Sequence, residues 1–106
     1  MDTWIQDFDE RVAILIKENV LERRLKQKVE RSGGMALKFI TPSMVGVPDR
    51  IVLIPGGKIF FVELKAPGQR LRPLQDKRKR QLEALGFTVR CIDSLSAIEA
   101  FVKEAF

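Results

Sequence analysis

The sequence predicts an α/β fold, a mixed β-sheet flanked by helices, and three observations carry that reading. Apolar residues recur at helical spacing at both ends of the chain and in one internal stretch. Between them lie short runs of β-branched and aromatic residues, two of which are joined by Pro55-Gly56-Gly57. The resulting order, α, α, β, β, β, α, β, α, opens its sheet with three strands and crosses through a helix to a fourth, which implies a mixed sheet with helices on its faces.

Each element has its own justification. Trp4, Phe8, Val12 and Ile16 fall four apart, with Ile5 and Leu15 widening the stripe, so residues 2–18 read as an amphipathic helix. Asn19-Val20-Leu21-Glu22 has the form of an N-cap followed three residues later by a capping-box Glu, and a new helix or a kink is expected there. Leu21, Leu25 and Val29 mark this second helix, and Ser32-Gly33-Gly34 stops it. Residues 35–40 read as a strand, interrupted by Thr41-Pro42-Ser43, with a loop through Gly46-Val47-Pro48. Residues 50–54 and 58–65 are the arms of a hairpin, and the second arm is apolar at both parities through Leu64, as a central strand covered on both faces would be. Pro73 suits the first turn of a helix carrying Leu74, Arg78, Leu82 and Leu85 and ended by Gly86. Residues 87–92 form the last strand, with Val89 and Cys91 on one face. After Asp93-Ser94, the residues Leu95, Ile98, Phe101, Val102 and Phe106 repeat at helical spacing.

A length of 106 residues fits one domain with one core. Nineteen Lys and Arg against fourteen Asp and Glu leave a charge of +5, which favours an anionic partner, nucleic acid first. The absence of His excludes His-based zinc sites, Ser-His-Asp and Cys-His nucleophile systems and His general bases. The absence of Tyr removes phenolic nucleophiles and tyrosine stacking platforms. Chemistry is left to carboxylates and lysine. The single cysteine, Cys91, cannot form an intrachain disulfide or a multi-cysteine zinc site and reads as a small core residue in a reducing compartment. No basic leader precedes an apolar run and no stretch approaches 18 apolar residues, so a cytosolic protein with no membrane partner is expected.

One constellation points to chemistry: Pro48-Asp49, then Glu63-Leu64-Lys65. Glu63 and Lys65 are two apart on a strand and share a face. Asp49 joins that face, opposite Glu63, if Ile54 lies opposite Lys58, which makes Pro55-Gly56-Gly57 a three-residue loop. That is a common hairpin class, and it wants Gly in the left-handed conformation. A two-residue loop would send Asp49 and Glu63 to opposite faces. Two carboxylates on one face, helped by the Leu64 backbone carbonyl, make a hard oxygen site for Mg²⁺ or Mn²⁺. A neighbouring Lys65 can orient water and stabilise charge building up on phosphorus. Pro-Asp alone is an ordinary turn and Glu-x-Lys alone a common surface pattern; the spacing across a Gly-turn hairpin is what distinguishes them.

Gly46-Val47-Pro48-Asp49-Arg50, Phe61-Val62-Glu63-Leu64-Lys65-Ala66-Pro67-Gly68, Leu74-Gln75 and Leu85-Gly86-Phe87-Thr88-Val89 occur in that order. Together they resemble the VRR-NUC family, the virus-type replication and repair nuclease domains of the PD-(D/E)xK superfamily. The resemblance covers residues 20–95 and implies a restriction-endonuclease-like core, preceded by an extra N-terminal helix (1–19) and followed by a C-terminal helix (96–106). It implies a metal-dependent DNA endonuclease with Asp49 and Glu63 as metal ligands and Lys65 as the catalytic lysine. It also points to a Glu on the first core helix, matched by Glu22, and to Gln75 at the head of the helix after the catalytic strand. Small standalone members from phages and bacteria are similar to Holliday-junction resolvases and act as homodimers. Branched or four-way DNA, a homodimer and no small-molecule cofactor are therefore implied. Residues 1–19 lie outside the pattern and serve either to cover the core or to dimerise.

Several residues keep two readings. Glu22 is a metal or metal-water ligand or the capping-box partner of Asn19, with Glu18 one turn earlier on much the same face. Gln75 either starts its helix or orients Lys65 or a phosphate. Lys38 either reaches phosphate from its strand or occupies a solvated edge. From 65 to 80 the chain holds Lys65, Arg70, Arg72, Lys77, Arg78, Lys79 and Arg80 against Asp76 alone. Beside the proposed site, that run reads as a track for DNA phosphates, with Arg70 and Arg72 on a loop as its best contacts. The rival functions are a DNA-binding or architectural protein without catalysis, and an accessory subunit of a replication-repair complex that docks through Trp4.

Overall fold

The computed structural model describes the backbone of residues 3–106 and side chains from Glu10 onward. Seven elements follow one another: α1 (Thr3–Arg31), β1 (Met35–Lys38), β2 (Arg50–Ile54), β3 (Lys58–Leu64), α2 (Pro73–Ala84), β4 (Thr88–Ile92) and α3 (Leu95–Ala105). The sheet runs β1-β2-β3-β4, antiparallel except for the β3–β4 pair, which is parallel. This is the predicted mixed sheet, and α2 is the crossover that makes β4 parallel to β3.

Strand alternation assigns the faces. Ala36, Val52, Ile54, Phe60, Val62, Leu64 and Ile92 form one core with Leu21, Leu25 and Val29 of α1 and Ile98, Phe101 and Ala105 of α3. Phe60 and Phe101 meet edge to face at 5.3 Å. The other face carries a smaller aromatic cluster, Phe61 between Phe39 (5.5 Å) and Phe87 (5.4 Å), with α2 packed over the β4 side. Five consecutive residues of β3, Phe60–Leu64, are buried, as expected of a strand covered on both faces.

The hairpin register is the predicted one. Ile54 pairs with Lys58, leaving the three-residue loop Pro55-Gly56-Gly57, with Gly56 at φ +94° and Gly57 at φ +87°. Continuing that register, Asp49 comes opposite Glu63.

The N-terminal region differs from expectation. No break occurs at Asn19: α1 is a single helix of 29 residues, about 43 Å long at 1.5 Å per residue. No Gly or Pro interrupts it. The apparent break is a change of face. The step from Ile16 to Leu21 is five residues, so the second apolar stripe is rotated by about 140° from the first. Leu21, Leu25 and Val29 are buried, whereas Val12, Leu15 and Ile16 are exposed. Asn19 therefore lies mid-helix, and the capping box with Glu22 does not form. Trp4 and Phe8 lie outside the described side chains. The described residues contain no helix long and apolar enough to cross a membrane.

Candidate active site

The end of the sheet where β1 and β3 finish and β2 begins gathers the chemistry-bearing residues. Backbone pairing continues past the formal strand ends: Phe39 N–H donates to the Asp49 carbonyl (2.9 Å) and Lys65 N–H to the Ile92 carbonyl (2.9 Å). Because Lys65 turns its N–H toward β4, strand alternation turns the N–H and C=O of Leu64 the other way, toward Asp49. The Leu64 N–H indeed donates to Asp49 Oδ2 at 3.0 Å. That bond fixes the exposed Asp49 carboxylate beside a buried strand end.

Glu63 is 4% exposed and Lys65 8%, and alternation puts them with Asp49 on the α2 face of the sheet. The Glu63 carboxyl is pushed up to about 8 from its ordinary 4.5. Burial is the largest cause, followed by hydrogen bonding to Asp49 and the charge of Asp49; Lys65 opposes the rise, and Glu18 adds to it. At neutral pH Glu63 thus keeps a proton against its neighbouring carboxylate. Cys91, the register partner of Glu63 on β4, is exposed, not the expected core residue. β4 is the sheet's edge strand, and α2 leaves this end of it open. Burial and the charge of Glu63 raise its thiol.

Glu22 does not join the carboxylates. Its Oε1 accepts from Arg50 at 2.5 Å, and Arg50, one residue after Asp49, points to the opposite face by alternation. The α1 acid whose charge reaches Glu63 is Glu18. The sequence carried no local signal that separates the two: Glu18 and Glu22 are one turn apart and only about 40° around the helix from each other. Among the described residues no three acidic, Cys or His side chains converge into one ligand cluster.

The remaining expectations divide. Arg70 and Arg72 line a cleft of about 500 Å³ with Lys65, between the 65–72 loop and the Arg11, Leu15 and Glu18 side of α1. Arg11 is a basic wall residue that sequence reasoning passed over. Gln75 Oε1 accepts from the Arg72 backbone N–H (2.9 Å), so its carbonyl caps the start of α2. Arg78 has a structural part: its Nε donates to the Val45 carbonyl (2.9 Å) and a terminal nitrogen to Gln81 Oε1 (3.0 Å), tying the 39–48 loop to α2. Lys79 pairs with Glu83 (3.8 Å) and Arg80 with Asp76 (2.8 Å), while Lys77 is exposed. Lys38 is exposed on the edge strand β1. It pairs in register with Arg50, and so lies on the α1 face, away from the Glu63 side chain.

Comparison with known proteins agrees with this architecture. No family model matches the sequence. A curated protein named "Putative nuclease p44", from Acyrthosiphon pisum secondary endosymbiont phage 1, is 48% identical over 80 residues, spanning 76% of this chain and 86% of that protein. A solved structure described as a VRR_NUC domain superposes with a TM-score of 0.80 at 25% identity, covering 85% of this chain and 98% of its own. With the Asp49, Glu63 and Lys65 constellation on the matching mixed sheet, the chain belongs to the VRR-NUC family of nucleases.

Proposed function

We propose that this nuclease is a Mg²⁺- or Mn²⁺-dependent DNA endonuclease that hydrolyses phosphodiester bonds, acts on branched DNA such as a four-way junction, and works as a homodimer in the cytosol of a bacterial or phage-infected host. The observation that carries the metal reading is the pair of like-charged carboxyls at a buried strand end. Burial first, then the hydrogen bond and charge of Asp49, push the Glu63 carboxyl up so that it holds a proton at neutral pH, and a divalent cation would stand in for that proton. The donors fit such an ion: hard oxygens from Asp49, Glu63 and the Leu64 carbonyl, with room for waters that Mg²⁺ retains. Glu18 is the α1 carboxylate assigned to this site; Glu22 stays with Arg50. Bound there, the ion would neutralise and polarise the scissile phosphate and the attacking water.

The chain's own residues do the rest. Glu63 gives up its proton when the cation is taken up, and Asp49 is held in place by the Leu64 N–H. The Lys65 ammonium, on the same face, donates to a non-bridging phosphate oxygen and orients the water that attacks phosphorus. The water oxygen bonds to phosphorus and releases a proton to solvent while the P–O bond to the leaving strand end breaks, and the leaving oxygen takes up a proton from solvent. Arg70 and Arg72 hold flanking phosphates in the adjoining cleft, independent of base identity.

Dimerisation is supported by the N-terminal half of α1, whose Val12, Leu15 and Ile16 are exposed because their stripe turns off the core. A two-fold dimer offers two sites to the symmetric strands of a four-way junction. The test is cleavage of an end-labelled four-way junction beside a matched linear duplex, with Mg²⁺ or Mn²⁺, for the native chain and Asp49→Asn. Metal-dependent cuts near the branch that vanish in the variant are expected, together with a light-scattering mass of two chains. Equal cutting of both substrates removes the branch preference. Binding without cuts in either metal replaces the enzyme by a DNA-binding protein.

A further inference from the structure

We propose that the α1 face of the same sheet end carries a second DNA-backbone site, in which Arg23, Lys26, Lys38 and Arg50 receive a phosphodiester group remote from the one being cut. The inference rests on the reading that this nuclease takes DNA, and extends it to a surface that reading does not use.

Asn19, Glu22, Arg23, Lys26, Lys38 and Arg50 line a cleft of about 480 Å³. Four cations face a single carboxylate there. The floor is built rather than incidental. Arg50 has a side chain only 9% exposed; it donates to the Ala36 carbonyl at 3.2 Å and to Glu22. Its Nε has no protein partner although it is buried. A guanidinium carries five N–H donors, and those of Arg50 are not all taken up by protein acceptors, so its positive charge at the floor of the cleft is only partly matched. Register holds Lys38 across from Arg50, and one helical turn of α1 brings Arg23 and Lys26 to the same opening. Lys26 has only a weak i,i+4 partner, Glu30, at 3.9 Å.

Position decides the ligand class. Arg50 follows Asp49 in sequence, so the cleft flanks the carboxylate pair on one side while the Arg70 and Arg72 cleft flanks it on the other. α1 passes between them, with Glu18 bordering one opening and Glu22 the other. A polyanion with regularly spaced phosphates can occupy both clefts across the catalytic end of the sheet, which a single small anion cannot. Glu22 then acts as a positioning residue: it holds Arg50 without fully neutralising the four cations around it.

The test is equilibrium binding of a fluorescent DNA duplex in EDTA, where nothing is cut, as a function of salt. Arg23→Ala/Lys38→Ala removes two exposed cations of the cleft. Lys58→Ala/Lys103→Ala removes equal charge at the far end of the molecule. Each phosphate contact contributes about 0.9 to the slope of log affinity against log salt, so the first variant is expected to lower the slope by about two and the second to leave it near the native value. An unchanged slope in the first variant, or equal losses in both, overturns the proposal. A slope difference in a protein that cuts no DNA with metal sustains the cleft and sinks the nuclease mechanism. Intact cutting with no slope difference does the reverse.

Discussion

Asp49 and Arg50 are neighbours in sequence that meet a charged partner on opposite faces of one sheet, and the two pairings follow different logic. Arg50 meets Glu22 at 2.5 Å and the Ala36 carbonyl at 3.2 Å, so its charge has an opposite partner and needs no cation from outside. Asp49 meets Glu63, a like charge, and the pair is relieved only by a proton or by a cation from outside. A fold with no use for that pair gains stability by losing it. An opposite-charge pair around the buried Arg50 on one face and a like-charge pair around the buried Glu63 on the other therefore call for different partners, the first complete without a cation and the second not.

Changing one member of each pair tests this division, and the largest effect belongs to the repulsive pair. Glu63→Gln is expected to lower metal-dependent cleavage by about 10³-fold, within the range a positioned catalytic group contributes. Its melting temperature in EDTA at pH 8 should equal or exceed the native value. A variant that cuts normally, or that fails to fold, would show that Glu63 belongs with the scaffold.

The next largest effect is the pH dependence of stability. Glu63 titrates near 4.5 when unfolded and at about 8 when folded. Below the lower value both states hold the proton and the group is neutral to stability. Between them the unfolded chain releases a proton that the folded chain keeps, so stability falls as pH rises through this window and levels off above it. The loss amounts to a few kcal/mol. Thermal melts in EDTA from pH 5 to 8.5 should show this decline, and Glu63→Gln should flatten it. Mn²⁺ should raise the melting temperature more at pH 8 than at pH 5, because the cation competes with the proton for the same carboxylates.

Glu22→Gln should act in the opposite sense. It strands the Arg50 guanidinium, and since Glu22 is 27% exposed the cost is about 2 kcal/mol, below that of a fully buried pair. Single-turnover cleavage of DNA already bound, at low temperature and saturating enzyme, should stay near the native rate, because Glu22 faces the remote phosphate cleft and not the reacting group. Chemical denaturation and single-turnover cleavage, measured side by side, check both halves. A loss of activity as deep as that of Glu63→Gln would move Glu22 into the site and erase the distinction between the faces.

The same contrast explains what was legible in the sequence. The hairpin register and the shared face of Asp49, Glu63 and Lys65 followed from a period of two and a Gly-bearing turn, both local properties. What escaped was long-range. The break at Asn19 was misread because two stripes on one continuous helix look like two helices until their rotation is counted. Glu22 and Glu18 differ by one turn, and only the packing of α1 decides which meets Glu63 and which meets Arg50. The structural part of Arg78 escaped as well, because nothing local announces that the Val45 carbonyl, 33 residues earlier, will accept its Nε–H. Cys91 was assigned the correct strand and the wrong surroundings, since exposure depends on which helix covers which strand.

The smallest expected effect concerns the turn that puts Asp49 and Glu63 on one face at all. Gly57 sits at φ +87° with open space where a Cβ would project, so Gly57→Ala meets no clash and costs only the left-handed backbone preference, about 1 kcal/mol. Five register pairs between β2 and β3 hold the strands independently of that residue. The variant should therefore melt slightly earlier and cut DNA at the native rate, measured in the same single-turnover assay. If activity falls well beyond what the lost stability explains, the hairpin has slipped. A one-residue slip would carry Glu63 to the α1 face, turning the repulsive pair into two separated carboxylates and leaving Glu22 and Arg50 with a third charge beside them.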